Sequence, residues 1–157
     1  MTIDLNKDQK IKLKRLFEQK NYSKFESFVE KLGSLDDLPK YLLMGYASSK
    51  VLNSNSKKED YFKSTIIFEK IYSKDKSNLE AFYNLILSSI KAEVASYVLP
   101  HLNDKYRLKE KDPKVVEGLA RVHFFLGNLD LSVKFFKGVL TIGQFFSIEI
   151  SNIFTLS

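Results

Sequence analysis

The residue pattern of this chain predicts an all-α protein of about eight helices folded as successive hairpins, with a further element at the carboxyl end. Three observations point there. Apolar residues recur at spacings of three and four along most of the 157 residues, the period of a helix with one buried face. Only 6 glycines and 3 prolines interrupt it, so long helices are easier to accommodate than many turns. Small residues also stand where one helix must lie close on the next. A hydrophobic content of 44% and a charged content of 28% are those of a globular chain, long enough for one continuous core.

The elements follow in order. Residues 6–19 carry Ile11, Leu13, Leu16 and Phe17, and residues 22–32 carry Tyr22, Phe25, Phe28, Val29 and Leu32. Phe25 stands where a small residue is preferred, so this first pair (6–33) is expected to cross more widely. In the second unit (38–76), Tyr41, Met44, Gly45 and Ser48 mark a first helix, with Gly45 as the point of close approach. The polar run 53–58 reads as a loop, and a second helix of about 59–72 buries Ser64, Phe68 and Ile71. The third unit (79–112) opens with Phe82, Leu85, Ile86 and Ser89 on one face. Pro100 predicts a break near Val98–Pro100 and a restart with proline in the first turn, with Leu99, Leu102, Tyr106 and Leu108 facing inward. In the fourth unit (113–142), the first helix buries Val116, Leu119, Ala120 and His123. Gly127 and Asn128 turn the chain, and Ser132, Phe136 and Val139 face back. Residues 143–157 are apolar and almost uncharged; as a helix, the expected form, Phe146, Ile150, Ile153 and Phe154 share a face, and as a strand Phe146, Ile148 and Ile150 alternate with Ser147, Glu149 and Ser151.

Residues 113–140, PKVVEGLARVHFFLGNLDLSVKFFKGVL, resemble a tetratricopeptide repeat, an element that recurs about every 34 residues. The segment EAFYNL at 80–85 is similar to the usual opening of such a repeat. The resemblance covers residues 6–140 as four degenerate helix pairs, the last pair being the clearest. It implies a right-handed α–α superhelix in which each pair buries its apolar side on its neighbours. It also implies a noncatalytic interaction or scaffold module that takes a peptide or partner protein in a concave groove. By the repeat alignment, the groove-facing candidates are Lys10, Lys14, Phe17, Tyr46, Lys50, Tyr83, Leu87, Arg121, Phe124 and Phe125. Lysine and arginine there would meet acidic groups, and the aromatic rings would supply rigid contact area. A second reading makes the repeats an accessory that positions a separate enzyme domain or subunit, such as a transferase. A third makes them a nucleic-acid-binding helical repeat.

Composition bounds the chemistry. With no cysteine there is no disulfide, thiolate metal site or cysteine nucleophile. The two histidines, His101 and His123, lie in no metal-binding or catalytic spacing, and the glycines form no phosphate loop. His123 reads as an interface histidine and His101 as an exposed one. Asp36-Asp37 and Glu59-Asp60 read as helix-start carboxylates. No catalytic residues, metal or cofactor are expected. The formal net charge of +6 admits an anionic partner. Nucleic acid is not the expected one, because lysines outnumber arginines 22 to 3 and arginine is the better forked phosphate ligand. The amino end lacks a secretory apolar run and no membrane span is expected, which makes the cytoplasm the expected placement. Residues 143–157 are expected to support self-association or to belong to a longer chain.

Overall fold

The computed structural model of the chain describes residues 1–108 and 112–142. Eight α-helices occupy the described residues: α1 (Lys7–Glu18), α2 (Tyr22–Leu32), α3 (Lys40–Leu52), α4 (Lys58–Lys74), α5 (Leu79–Lys91), α6 (Leu99–Leu108), α7 (Pro113–Phe125) and α8 (Leu129–Ile142). Short 3₁₀ turns cover Leu35–Asp37 and Ala95–Tyr97, and there is no strand among the described residues. Each helix packs on its chain neighbour from α1 to α5 and again from α6 to α8. One apolar core runs through the packed helices, from Leu13 and Phe25 through Tyr46, Phe68, Phe82 and Leu102 to Leu119.

Local chemistry sets the helix ends. Asn6 and Gln9 exchange side-chain to backbone hydrogen bonds of 2.9 and 3.0 Å, closing a capping box on α1. Asn78 caps α5 by accepting from the Ala81 N–H at 3.0 Å, and Asp112 caps α7 ahead of Pro113 by accepting from the Lys114 N–H at 3.0 Å. Three first helices then stop in the same way. The N–H of Asn21, Val94 and Asn128 reaches back to the carbonyl of Leu16, Ser89 and His123 at 2.9, 2.9 and 2.8 Å. The residue before each donor is left-handed: Lys20 at φ 56°, Glu93 at φ 59° and Gly127 at φ 80°. Only Gly127, which lacks a Cβ, is a residue this conformation favours.

The hairpins close through small residues. Ser132 Oγ donates to the Ala120 carbonyl at 2.8 Å, and Ser64 Oγ donates to the Ala47 carbonyl at 2.9 Å. All four residues are at most 2% exposed, so each hydroxyl satisfies a buried polar group while the helices touch. The repeated bond aligns Ala47 with Ala120 and moves the point of close approach in α3 two residues beyond Gly45.

Other expectations shift with helical phase. Phe136 is 37% exposed, and Phe135 turns inward instead, stacked on His123 and edge-on to Tyr106. Ile11 and Leu108 are exposed at 54% and 82%, outside the core. Val139 and residues 143–157 lie outside the residues whose side chains are described. Asp36 and Asp37 sit in a 3₁₀ turn capped by Ser34, while α3 starts later, after Pro39.

The third unit departs most. After the 3₁₀ turn at Ala95–Tyr97, Pro100 falls in the first turn of α6, which packs on α7 and on that turn, while α5 reaches α7 directly. Gly118 makes room for this arrangement. A Cβ there would come within 2.9 Å of Leu102 Cδ2 and 3.0 Å of Ile86 Cδ1.

Ala120→Phe is expected to overpack the α7–α8 contact and lower stability by about 1–3 kcal/mol. A urea melt checks it, and an unchanged midpoint would disprove the packing described here.

Candidate interaction surface

The ten groove candidates divide into enclosed and open groups. Lys10 and Lys14 are exposed on α1, with Lys14 3.8 Å from Glu18. Phe17 turns inward, edge-on to Tyr22 and Phe25 at centroid distances of 5.5 and 5.2 Å. Leu87 is half-buried against the core. Tyr83 is 4% exposed, with Lys114 Nζ 4.6 Å above its ring, and burial together with the charge of Asp112 pushes its phenol up to about 12. Arg121 lies along α7 and binds the buried Glu117 carboxylate at 2.8 Å through Nε.

Tyr46 and Lys50 meet in a buried polar cluster between α2, α3 and α4. Lys50 Nζ is 3.2 Å from both Glu26 and Asp60 and 4.9 Å from the Tyr46 ring centroid. Tyr46 donates its hydroxyl to Glu30 at 2.6 Å, and Asn53 donates to Ser23 at 3.2 Å. Burial works against the Lys50 ammonium, but Glu26 and Asp60 outweigh it and raise its pKa. Burial, and after it the hydrogen bond to Glu30, raises the Tyr46 phenol. The Lys57 N–H lowers Asp60 first, and Lys50 adds to that. The α3 register explains the enclosure. With Ala47 at the close contact, Tyr46 and Lys50 face the preceding hairpin.

Apart from Lys10 and Lys14, the open candidates are apolar. Phe124 and Phe125 are 55% and 56% exposed and meet edge-on at 5.5 Å. Leu126, Leu129, Leu131, Val133 and Phe136 follow them, all exposed. Leu129, Val133 and Phe136 recur at the spacing of one helix face. The inner side of the same turn is fixed by His123, whose Nδ1 lies 3.2 Å from Asn128 Nδ2. An amide NH₂ only donates, so Nδ1 accepts and the ring proton of the neutral imidazole sits on Nε2. His123 stacks on Phe135 at 5.8 Å, so Ser132 and Phe135 hold the inner face of α8 while Phe136 looks outward. The sequence reading found Phe124 and Phe125 and missed their continuation on α8, whose apolar side it assigned to the core.

His101 is half-buried, 3.0 Å from Glu69 and edge-on to Tyr72, where an exposed residue was expected. Among the described residues no group of His, Cys, Asp or Glu is arranged to hold a metal ion, and no helix is long and apolar enough to cross a membrane. No protein-family model matches this chain, and no curated protein matches it in sequence.

Two outcomes follow from these environments. Lys50→Met leaves Glu26 and Asp60 without their shared cation and is expected to cost about 3 kcal/mol in a urea melt, with much of it recovered when Glu26→Met is added. Burial lowers the His123 pKa below 6.5, so its contribution is present above that value and lost as pH falls through the folded pKa. The drop in melting temperature between pH 7 and pH 5 is therefore expected to be smaller in His123→Phe than in the parent.

Proposed function

We propose that this chain is a noncatalytic interaction module, a right-handed α–α superhelix of tetratricopeptide type, that seats a helix of a partner protein on the outer face of α8. One observation carries the reading. Seven large apolar side chains between Phe124 and Phe136 stand exposed in one short stretch. Isolated exposed apolar residues need no explanation, but a run along one helical hairpin is the character of a recognition surface. The aromatic pair Phe124 and Phe125 supplies rigid area with few rotors to freeze, as interface anchors do.

The helical partner follows from how this fold covers its own second helices. α2 is packed by α3, α4 by α5, and α6 by α7. Leu129, Val133 and Phe136 offer an incoming helix the same kind of ridge, and helix-in-groove recognition reads such spacing. Asp130 and Lys134 border the face and would orient the incoming helix. The expectation that residues 143–157 mediate self-association lies outside the described residues.

A photo-crosslinking amino acid placed at Val133 in the source cell, with mass-spectrometric mapping of the linked peptide, tests the proposal. The expected product joins Val133 to an amphipathic helical segment of a different protein and disappears in Phe125→Glu. Crosslinks only to a second copy or to residues 143–157 would overturn it.

A further inference from the structure

The cleft between α1 and α2 is lined by Lys12, Lys24 and Lys31, with Ser27 beside them and Leu16 and Phe28 at its floor. Ser23 completes the lining, and its Oγ already accepts from Asn53. No carboxylate lines this cleft. The reason lies on the other side of α2, where Glu26 is turned to Lys50 and Glu30 to the Tyr46 hydroxyl. On α1, Glu18 faces Lys14. The polar cluster that joins α2 to α3 thus draws the acidic side chains of α2 to one face and leaves the opposite face positive. Lys12, Lys24 and Lys31 are exposed and have no salt-bridge partner among the described residues.

Two other clefts hold their own counter-ions. The cleft at Leu38 and Ile71 contains the Lys40–Asp75 and Lys70–Asp36 pairs. The cleft at Tyr72 contains the Arg107–Asp104 pair, and His101 in its wall is bound to Glu69. An incoming anion would have to displace those carboxylates, whereas the α1–α2 cleft asks for no such exchange.

We infer that the α1–α2 cleft binds an acidic peptide segment, its carboxylates meeting Lys12, Lys24 and Lys31 while one apolar side chain rests on Leu16 and Phe28. Lys24 and Lys31 are seven residues apart on α2, an axial separation of about 10 Å, which an extended peptide spans in about three residues. Two carboxylates at that interval, with an apolar residue between them, match the cleft in charge and in floor. Lysine ammoniums act here as point charges without forked geometry, which suits carboxylates on a flexible chain. A nucleic acid is the poorer fit. The cleft has no arginine to fork onto a phosphate. This site stands apart from the α8 surface and does not depend on the reading given for it.

The test is an amide chemical-shift titration of the full chain with a capped peptide in which glutamates flank leucine at the spacing above. Shifts confined to residues 12–31 are expected. Lys24→Gln with Lys31→Gln should weaken binding about tenfold, the worth of two exposed ion pairs, while a thermal melt shows the pair still folded. The glutamine version of the peptide should bind at least about tenfold more weakly for the same reason. Equal binding of the glutamine peptide, shifts centred outside residues 12–31, or tighter binding of single-stranded DNA through the same lysines would each overturn the proposal. Inorganic phosphate reproducing the full peptide response would overturn it too, since the apolar floor would then contribute nothing.

Discussion

A serine hydroxyl bound to the carbonyl of a buried alanine on the facing helix is the contact on which this arrangement turns. It occurs twice, as Ser64 to Ala47 and as Ser132 to Ala120. At each site two helices approach so closely that only a small side chain fits, and the one polar atom it carries must find a partner without water. The hydroxyl does both jobs. It fixes the rotation of each helix about its axis as well as the distance between them, because a donor displaced by one residue would swing about 100° away. Once α8 is locked by Ser132, Phe135 falls inward on His123 and Tyr106, and Phe136 falls outward. The apolar surface of α8 is a consequence of that lock.

Between hairpins the joint is different. α2 and α3 meet through Glu26, Glu30, Tyr46, Lys50 and Asn53 as well as through Phe25 and Leu42. A buried lysine is costly to desolvate, and two carboxylates within 3.2 Å offset that cost without making the cluster a large net source of stability. What the cluster supplies is direction. Apolar packing alone would tolerate α2 rotated or slid along α3, whereas each charged partner here has one position. The same cluster polarises α2, with its acids on the α3 side and its lysines on the side facing α1, so one set of contacts determines both the seam and the charge of the outer cleft.

Much of this was legible in the residues. The helix pairs, the turn at Gly127, the break before α6 and the burial of Ser64, Phe68 and Ile71 follow from periodicity and from proline and glycine chemistry. The errors were of phase. In Met44-Gly45-Tyr46-Ala47, two small residues stand two apart, and spacing alone cannot choose between them; the bond from Ser64 does. Phe135 and Phe136 are adjacent and alike, so only the anchor at Ser132 decides which one is buried. Lys20 and Glu93 hid two turns, since the left-handed conformation there is held by backbone bonds to Leu16 and Ser89 and not by a favourable side chain. Lys50 and Tyr46 read as groove residues because their partners, Glu26, Glu30 and Asp60, lie at least ten residues away along the chain, beyond the reach of any helical pattern.

The phase of each outer helix also explains why the two ends of the described structure differ in character. On α1 the exposed positions are charged, Lys7, Asp8, Lys10, Lys12, Lys14, Arg15 and Glu18, with Ile11 the exception among them. That face is stable in water because solvation of the charges offsets the lost packing, as a polar outer repeat does in stacked helical proteins. On α8 the exposed positions include Asp130, Lys134 and Lys137, but also Leu129, Leu131, Val133 and Phe136, and these four gain nothing from solvent. Rotating α8 to hide them would break the Ser132 bond and pull Phe135 off His123, so the helix cannot relieve its own exposure. The exposure of these side chains is therefore fixed by the same contacts that hold α8 on α7, which is what the proposed partner helix would draw on.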